Sequence, residues 1–283
     1  MAPIKGVLIM IEHDEELLKS LKEKAKILRR HAVTMIKSSG IGWLGGSFSE
    51  AEIITALYFH HMKHTPKDPK WLERDRLIIS KAHSCEMVYA ALAETGYFSK
   101  EEFSSYGRID AMLQAHTDRR TVPGVEFSGG SLGQGLSFSI GEALAAKIDT
   151  SDRSIFCILG DGECDEGQIW EAAMTAAHYK LDNLTVLLDH NKFQSTDEVA
   201  RKMNLDPLGE KWRAFGWHVI EIDGHELKQI LDTLDFIGEI KYKPHIIICH
   251  TVKGKGVPAF EGKNLHFVKV TDEMYAEAMS ALQ

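Results

Sequence analysis

The stretch from Ile155 to Thr196 constrains the fold of this chain more than any other. It contains two short apolar runs, residues 155–159 and 184–188, each of which has the length of a buried strand. Between them, a Gly-Asp-Gly turn is followed from Gly167 by small and apolar residues at helical spacing. This order predicts a strand–loop–helix–strand unit. If the strands are parallel, their polar ends should lie side by side.

The polar groups at those two ends point to a metal-bound phosphate group. Asp161 follows the first strand and Asn191 follows the second. A carboxylate and an amide oxygen suit Mg²⁺ and leave positions for phosphate oxygens. Gly160 and Gly162 allow the backbone to approach a ligand closely, and the start of the next helix favours negative charge. Gly-Asp-Gly alone would fit an ordinary turn equally well, but its combination with Asn191 favours the metal site.

Several segments resemble a known family. The pieces GDGE, EG, WEA and LDHNKFQST resemble the thiamine diphosphate motif in the form that transketolases use. The resemblance continues in DRLIISKAHSCEMVYAAL, LQAHTDRRTVPGVEFSGGSLGQGLS and TVKGKG, and it extends from about Leu28 to the C-terminus. It implies an α/β fold in which a parallel sheet is flanked by helices, the thiamine diphosphate-binding fold. Residues 1–283 are expected to form one diphosphate-binding domain with an N-terminal helical segment.

The resemblance also implies the site residues. The residues expected to bind thiamine diphosphate are Ser131, Leu132, Gly133, Gly160, Asp161, Gly162, Glu166 and Asn191. The expected ligands of Mg²⁺ (or Ca²⁺) are Asp161, Asn191 and the backbone carbonyl of Phe193. The expected catalytic residues are His83, His116 and His266, since the pKa of an imidazole suits proton transfer near neutrality.

Two residues depart from the family pattern. Trp43 stands where the family has a histidine that faces the reacting centre, and Phe267 follows His266 where the family usually has glycine. Because of Trp43, a subunit that binds the cofactor without catalysing a reaction remains an alternative. A subunit of another thiamine diphosphate enzyme, similar to deoxyxylulose phosphate synthase or to pyruvate dehydrogenase E1, is a further alternative. The segments TVPGVEFSGGSLGQG and TVKGKG favour transketolase over both of these enzymes.

The resemblance reaches only the diphosphate-binding module of a transketolase. In the family, a second, pyrimidine-binding module supplies the glutamate that activates the cofactor and the arginines that read substrate phosphate. We therefore expect the N-terminal subunit of a split transketolase, which transfers a two-carbon ketol unit from a ketose or ketose phosphate to an aldose. Its expected partner is a C-terminal subunit that carries the pyrimidine module, in an α2β2 assembly with sugar or sugar phosphate substrates.

Composition limits the other classes of function. The net charge is −8, from 33 basic and 41 acidic residues, which argues against nucleic acid as a partner. No apolar run has membrane-spanning length, and MAPIKGVLIM is too brief for a signal peptide. The four cysteines suggest no disulfide framework. We therefore expect a cytoplasmic protein. His60, His61 and His64 have helical spacing but no supporting carboxylate or cysteine, so a solvated helix end is expected rather than a metal site.

The remaining patterns predict secondary structure along the chain. A glycine-rich loop is expected over Ser38–Ser49, with Ser49 as the N-cap of the following helix. The expected helices cover residues 12–38, 85–93, 137–147, 227–237 and 271–282. The expected buried strands cover residues 77–79, 217–222 and 245–250, and TVKGKG should leave the last of them at the same sheet edge as Asp161.

Overall fold

The computed structural model describes residues 13–195 and 197–283. The MAPIKGVLIM segment, the expected first helical residue at position 12 and Thr196 lie outside the described residues. The α-helices are α1 (Glu15–Ser39), α2 (Leu44–Ser49), α3 (Ala51–Ala56), α4 (Cys85–Thr95), α5 (Gln134–Ile148), α6 (Gly167–His178), α7 (Val199–Lys202), α8 (Leu208–Ala214), α9 (Leu227–Ile237) and α10 (Asp272–Ala281). A π-helical turn at Leu57–His61 continues α3, and 3₁₀ turns cover Ala82–Ser84, Lys100–Ser105 and Gly162–Asp165.

A five-stranded parallel sheet forms the centre of the fold. Its strands are β1 (Arg76–Ile79), β2 (Ile155–Gly160), β3 (Leu184–His190), β6 (His218–Asp223) and β7 (His245–His250), in the order β1-β2-β3-β7-β6. Every neighbouring pair in the sheet is parallel. A separate antiparallel pair joins β4 (Phe193–Gln194) to β5 (Asp197–Glu198). The expected parallel sheet flanked by helices is confirmed.

The central strands are mainly apolar because helices cover both faces of the sheet. Alternate residues of β2 enter different cores: Phe156 and Ile158 pack into one, and Cys157 and Leu159 pack into the other. The first core includes residues of α1, α3, α4 and α9, and the second includes residues of α5, α6 and α8. The sheet therefore separates two layers of helices.

The strand order changes direction next to β3. After β3 the chain crosses to the edge strand β6 and returns through α9 to β7, which pairs with β3. The carboxyl ends of β2, β3 and β7 consequently meet at one edge, where ligands bind in open α/β sheets. The expected exit of the TVKGKG segment at this edge is confirmed by the hydrogen bond from the Thr251 N–H to the His190 carbonyl at 3.2 Å.

Two structural expectations are wrong. β6 is not buried, because it is an edge strand: Glu221 and Asp223 are exposed and most of its apolar residues are only half-buried. The expected glycine-rich loop is helical at Leu44–Ser49, and Ser49 ends this helix instead of capping the next one. The Ser49 hydroxyl instead donates to Asp189 Oδ2 at 2.6 Å.

The histidines near the end of α3 are mostly packed. His64 hydrogen-bonds to the Tyr97 hydroxyl at 3.2 Å and to the Tyr58 carbonyl at 2.8 Å. His61 is half-buried beside Asp235, and His60 alone is exposed as a solvated helix end would be. Within residues 13–195 and 197–283, no group of three or more histidine, cysteine, aspartate or glutamate side chains could hold a metal ion.

All four cysteines are buried as free thiols. Among the described helices, none is both long and apolar enough to cross a membrane.

Candidate functional site

A cavity of about 340 Å³ opens at the carboxyl edge of the central strands. The predicted site residues that line it are His83, His116, Leu132, Gly160, Asp161, Gly162, Asn191, Phe193 and His266. An adjoining cavity of about 490 Å³ shares Asn191, Phe193 and Lys253 with it, but none of the three predicted catalytic histidines lines that larger space. The smaller cavity is therefore the one that combines the predicted metal ligands with the imidazoles.

Asp161 is buried at the base of this cavity, directly after β2. Its carboxylate oxygens accept hydrogen bonds from the backbone N–H groups of Gly162, at 2.7 Å, and of Lys192. Burial and the nearby Asp189 carboxylate raise the pKa of Asp161 to about 7. An additional positive charge here would favour the ionised carboxylate.

Asn191 comes to the same cavity from the end of β3. Its amide nitrogen donates to Asp189 Oδ2 at 2.8 Å, and its side-chain oxygen accepts from the Phe193 N–H at 3.1 Å. Asp189 itself is fully buried. The neighbouring carboxylate therefore fixes the orientation of the Asn191 amide.

A buried lysine that lines the cavity, Lys81, was missed in the sequence. Lys81 Nζ lies 2.6 Å from Asp189 Oδ2 and 2.7 Å from Glu50 Oε2. Burial opposes the charged form, but Asp189 and Glu50 raise the pKa of Lys81 above its usual value. Burial raises the pKa of Glu50 to about 7. The segment Ser80-Lys81-Ala82-His83 held the signal, since a lysine directly after a buried strand must find a charged partner.

A second missed residue, Glu163, joins three segments around the cavity. Its carboxylate accepts hydrogen bonds from the Ser80 hydroxyl, the Gly133 N–H at 2.8 Å and the Gly160 N–H at 3.0 Å. Gly133 thus contributes to the site through Glu163 and does not line the cavity. The glutamate inside the GDGE piece was the available signal.

Two predicted cofactor-binding residues are not brought to the cavity. Glu166 is exposed because it occupies the N-cap position of α6, outside the 3₁₀ turn that aims Glu163 inwards. Ser131 is also exposed, and neither residue lines the cavity. From the loop that contains Ser131, Gly130 and Leu132 line the cavity instead.

The three predicted catalytic histidines lie together. The ring centroids of His83 and His266 are 5.2 Å apart, and the Trp43 ring lies 5.0 Å from that of His116. Burial lowers the pKa of all three imidazoles, to about 4 for His266, and Lys81 adds to the effect on His83. The expectation of pKa values suited to proton transfer near neutrality is wrong for this environment. At pH 7 the rings are neutral, and each can donate and accept a hydrogen bond.

Lys253, from the TVKGKG segment, supplies a cation beside the predicted metal ligands. It lines the cavity with 2% of its surface exposed, and its Nζ lies 5.4 Å from the centre of the Phe193 ring. Burial lowers its pKa to about 8, while Asp161 and Asp189 oppose the shift. An anionic ligand in the cavity would stabilise this ammonium.

The residues present fit a diphosphate held through a divalent cation. Asp161 and Asp189 are two buried carboxylates, and the ammonium that contacts Asp189 is already shared with Glu50. A divalent cation at Asp161 and Asn191 would supply the missing positive charge. A Cβ atom at Gly46 or Gly130, which both line the cavity, would meet no neighbouring atom, so a ligand can approach the backbone there.

Comparison with known proteins agrees with this geometry. Residues 20–278 match the family described as "Transketolase, thiamine diphosphate binding domain". The chain belongs to the transketolase family and corresponds to its thiamine diphosphate-binding domain. The expected fold and cofactor are thereby confirmed.

Individual relatives make the family placement more specific. The chain is 44% identical to the 6-deoxy-6-sulfo-D-fructose transketolase subunit SqwG of Clostridium sp. (strain MSTE9), over 93% of this chain and 96% of the relative. It is 38% identical to one subunit of the apulose-4-phosphate transketolase of Phocaeicola vulgatus, over 93% of each chain.

Among solved structures, it is similar to the transketolase of Campylobacter jejuni, with a TM-score of 0.89 and 31% identity. That match covers 93% of this chain and 43% of the Campylobacter chain.

Proposed function

We propose that this chain is the diphosphate-binding subunit of a two-chain transketolase. With its partner it transfers a two-carbon ketol unit from a ketose or ketose phosphate to an aldose. In this proposal the chain forms one thiamine diphosphate-binding domain, and two copies assemble with two partner chains as α2β2.

One observation carries the proposal. A single cavity collects Asp161 and Asn191 with the three imidazoles of His83, His116 and His266. The first pair suits a divalent cation bound to phosphate, and the imidazoles suit a polyhydroxylated substrate. The proposed metal ligands and the proposed substrate-binding imidazoles thus line the same cavity at the carboxyl edge of the sheet.

Each group has a distinct role in this proposal. Asp161, Asn191 and the Phe193 carbonyl hold the divalent cation, and Lys253 faces the diphosphate. Glu163 fixes the loops that close around it, through the Ser80 and Gly133 contacts. Thiamine diphosphate, when bound, supplies the nucleophilic carbon on which ketol transfer depends.

The imidazoles orient the substrate. Because burial lowers the pKa values of His83, His116 and His266, they remain neutral and offer both donor and acceptor nitrogens to sugar hydroxyls. Their fixed positions reduce the freedom that a bound donor must lose before reaction.

Relatives support the need for a partner. Two of them carry the word subunit in their names and match this chain over nearly their whole length. The Campylobacter transketolase, in contrast, is more than twice as long as the segment that matches. We infer that a separate chain supplies the pyrimidine-binding module.

Relatives also suggest which donors to test first. One is named for 6-deoxy-6-sulfo-D-fructose and another for apulose 4-phosphate. Both compounds are ketoses with an anionic terminus. We propose a donor of this class.

Reconstitution tests the proposal. The chain is mixed with a candidate partner that carries the pyrimidine module, such as the product of the adjacent coding sequence, together with Mg²⁺ and thiamine diphosphate. Ketol transfer is then measured from xylulose 5-phosphate, fructose 6-phosphate, 6-deoxy-6-sulfo-D-fructose and apulose 4-phosphate. We expect turnover of at least one donor by the mixture. A complex that binds the cofactor but transfers from none of these donors would overturn the proposed reaction.

A further inference from the structure

One wall of the cavity is aromatic. Trp43 lines it, and Phe267, which does not line the cavity, packs on Trp43 with the two ring centroids 4.5 Å apart. The Trp43 ring also lies 5.0 Å from His116 and 6.1 Å from His83. The indole therefore stands among the groups that would orient the substrate, and Phe267 packs against it.

Backbone hydrogen bonds hold the two aromatic residues in register. Gly42 and Val268 form an antiparallel bridge, with N···O distances of 3.0 and 2.9 Å. Trp43 follows Gly42 and Phe267 precedes Val268, so the two aromatic residues lie opposite each other next to the bridge. A further hydrogen bond, from the Gly45 N–H to the Leu265 carbonyl at 2.8 Å, holds the same two segments together. The pair is thus part of a fixed structure and not two independent side chains.

The buried side chain of Glu86 holds the backbone at Trp43 in place. Glu86 is fully buried in the first turn of α4, and its Oε1 accepts hydrogen bonds from the Trp43 N–H at 3.2 Å and the Tyr106 hydroxyl at 2.8 Å. Its Oε2 accepts from the Ser47 hydroxyl at 2.8 Å. In the part of the chain that the structure describes, no cation pairs with Glu86. Three donors from two separate segments converge on this one side chain, so Glu86 holds the backbone of Trp43 in a fixed position.

We propose that Trp43 determines donor specificity, and that Phe267, which packs on its ring, and Glu86, which accepts from its backbone N–H, are positioning residues that hold Trp43 in the wall. This inference rests on the proposed ketol transfer. The site would take a ketose donor that places C–H surface against the indole and turns its hydroxyl groups towards the imidazoles.

The chemistry of the wall supports this orientation. The indole of Trp43 can donate through its N–H but cannot accept a hydrogen bond. A sugar hydroxyl turned towards the wall would lose hydrogen bonds to water without replacing them. A carbon that carries only hydrogen fits there without that loss, and it packs on the aromatic face.

The test compares donors that differ by one hydroxyl group. The reconstituted complex is assayed with fructose 6-phosphate and with its 4-deoxy and 5-deoxy analogues, and kcat/KM is measured for each. An apolar wall discriminates weakly against a missing hydroxyl, by about 100-fold or less, whereas a hydrogen-bonding site discriminates far more strongly. We expect at least one deoxy analogue to fall within about 100-fold of the parent donor in the wild type.

Variants of the wall should change this ratio. Trp43→His introduces a group that can accept a hydrogen bond, and Phe267→Ala removes the packing partner, which is itself 49% exposed. We expect each to shift the parent-to-deoxy ratio by roughly tenfold or more, with cofactor affinity unchanged by calorimetry. If the parent-to-deoxy ratio of kcat/KM is unchanged in an active variant complex, the inference about donor specificity is overturned and the proposed ketol transfer is unaffected. A wild-type complex that transfers from no donor would overturn the proposed function and, with it, this inference.

Glu86 is tested by a conservative and a disruptive change. Glu86→Gln keeps an oxygen for the Trp43 N–H and should leave the donor ratio within about threefold of wild type, since the hydrogen bond is retained. Glu86→Leu removes that acceptor and should shift the ratio as Trp43→His does. If Glu86→Leu does not fold, Glu86→Asp, which draws the carboxylate back by one methylene, carries the same expectation. Equal ratios in the disruptive variant and Glu86→Gln would show that Glu86 has only a structural role.

Discussion

Lys81 Nζ lies 2.6 Å from Asp189 Oδ2, and both side chains are buried at the floor of the cavity, which Lys81 itself lines. The same ammonium contacts Glu50 at 2.7 Å, and Asp189 also accepts a hydrogen bond from Asn191. A buried charge network thus contacts the end of β3, and the predicted metal ligand Asn191 directly follows this strand. We expect disruption of this network to reduce both stability and cofactor binding.

Loss of the buried ammonium should destabilise the chain. Lys81→Met leaves the carboxylates of Asp189 and Glu50 without their cation, and we expect the free energy of unfolding to fall by about 3–5 kcal/mol. The control is Lys147→Met, which breaks an exposed ion pair with Asp182 and should cost less than about 1 kcal/mol. Urea unfolding at pH 7.5 compares the two. Equal losses would contradict the importance of the buried network.

Two glycines of α5 should respond oppositely to alanine. A Cβ at Gly135 would lie 2.6 Å from the Ser80 backbone, next to the Ser80–Glu163 hydrogen bond. Gly135→Ala should therefore cost about 1–3 kcal/mol through overpacking. At Gly141 a Cβ meets no atom within 4 Å, so Gly141→Ala should stabilise the helix by about 0.5–1 kcal/mol. Thermal unfolding measures both changes, and stabilisation by Gly135→Ala would refute the close packing.

Removal of one carboxylate should strongly weaken metal-dependent cofactor binding. Asp161→Asn keeps the size of the side chain but loses its charge. Since loss of a supporting group around a metal site costs 10–100-fold in affinity, loss of a ligand should cost at least roughly 100-fold. Asp165→Asn, in the same turn but outside the cavity lining, is the matched control. Calorimetry with Mg²⁺ and thiamine diphosphate on the complex distinguishes them, and similar affinities in the two variants would disprove the assignment.

Glu86 should make stability depend on pH. Burial raises its pKa from an ordinary value of 4.5 to about 7, so the folded state prefers the protonated carboxyl. The corresponding stabilisation is fully present below pH 4.5 and is lost as the pH rises through about 7. The titratable groups that face Glu86 are Cys85, Tyr89 and Tyr106, whose pKa values are all raised, so they stay neutral over this range.

Glu86→Gln isolates this contribution. Relative to wild type, the variant should gain stability between pH 4.5 and pH 8, by roughly 3 kcal/mol at most. Urea unfolding of both proteins at several pH values gives the difference. A difference that does not change with pH would show that the carboxyl has no raised pKa.

The sheet could be predicted because its central strands contain continuous apolar runs. β2 has no polar side chain, β7 has none between its two terminal histidines, and such runs arise where helices cover both faces. The edge position of β6 was missed although a signal was present: His218 and Glu221 interrupt its apolar run as no polar residue does in β2 or inside β7. Helix α2 was missed because glycine is a poor helix former, and here tertiary packing outweighs that propensity.

Part of the site followed from the sequence, and part depended on contacts between distant residues. Asp161 and Asn191 follow successive strands, so their approach was predictable from a parallel sheet. Lys81 and Asp189 are far apart in the chain, and nothing local shows that their charges meet. Glu163 and Glu166 both lie near the Gly-Asp-Gly turn, and only the geometry of the 3₁₀ turn determines which carboxylate points inwards.

The central claim is that this chain supplies the diphosphate-binding half of a two-chain enzyme. It is tested most directly by titrating a fixed amount of the chain with its pyrimidine-module partner and following ketol transfer at saturating Mg²⁺ and thiamine diphosphate. We predict no transfer by either chain alone, and a rate that rises with added partner to a plateau at one partner per chain. Addition of the Asp161→Asn chain should then lower the rate by competing for partner. Full transfer by the chain without partner, or a rate indifferent to the Asp161→Asn competitor, would contradict the account.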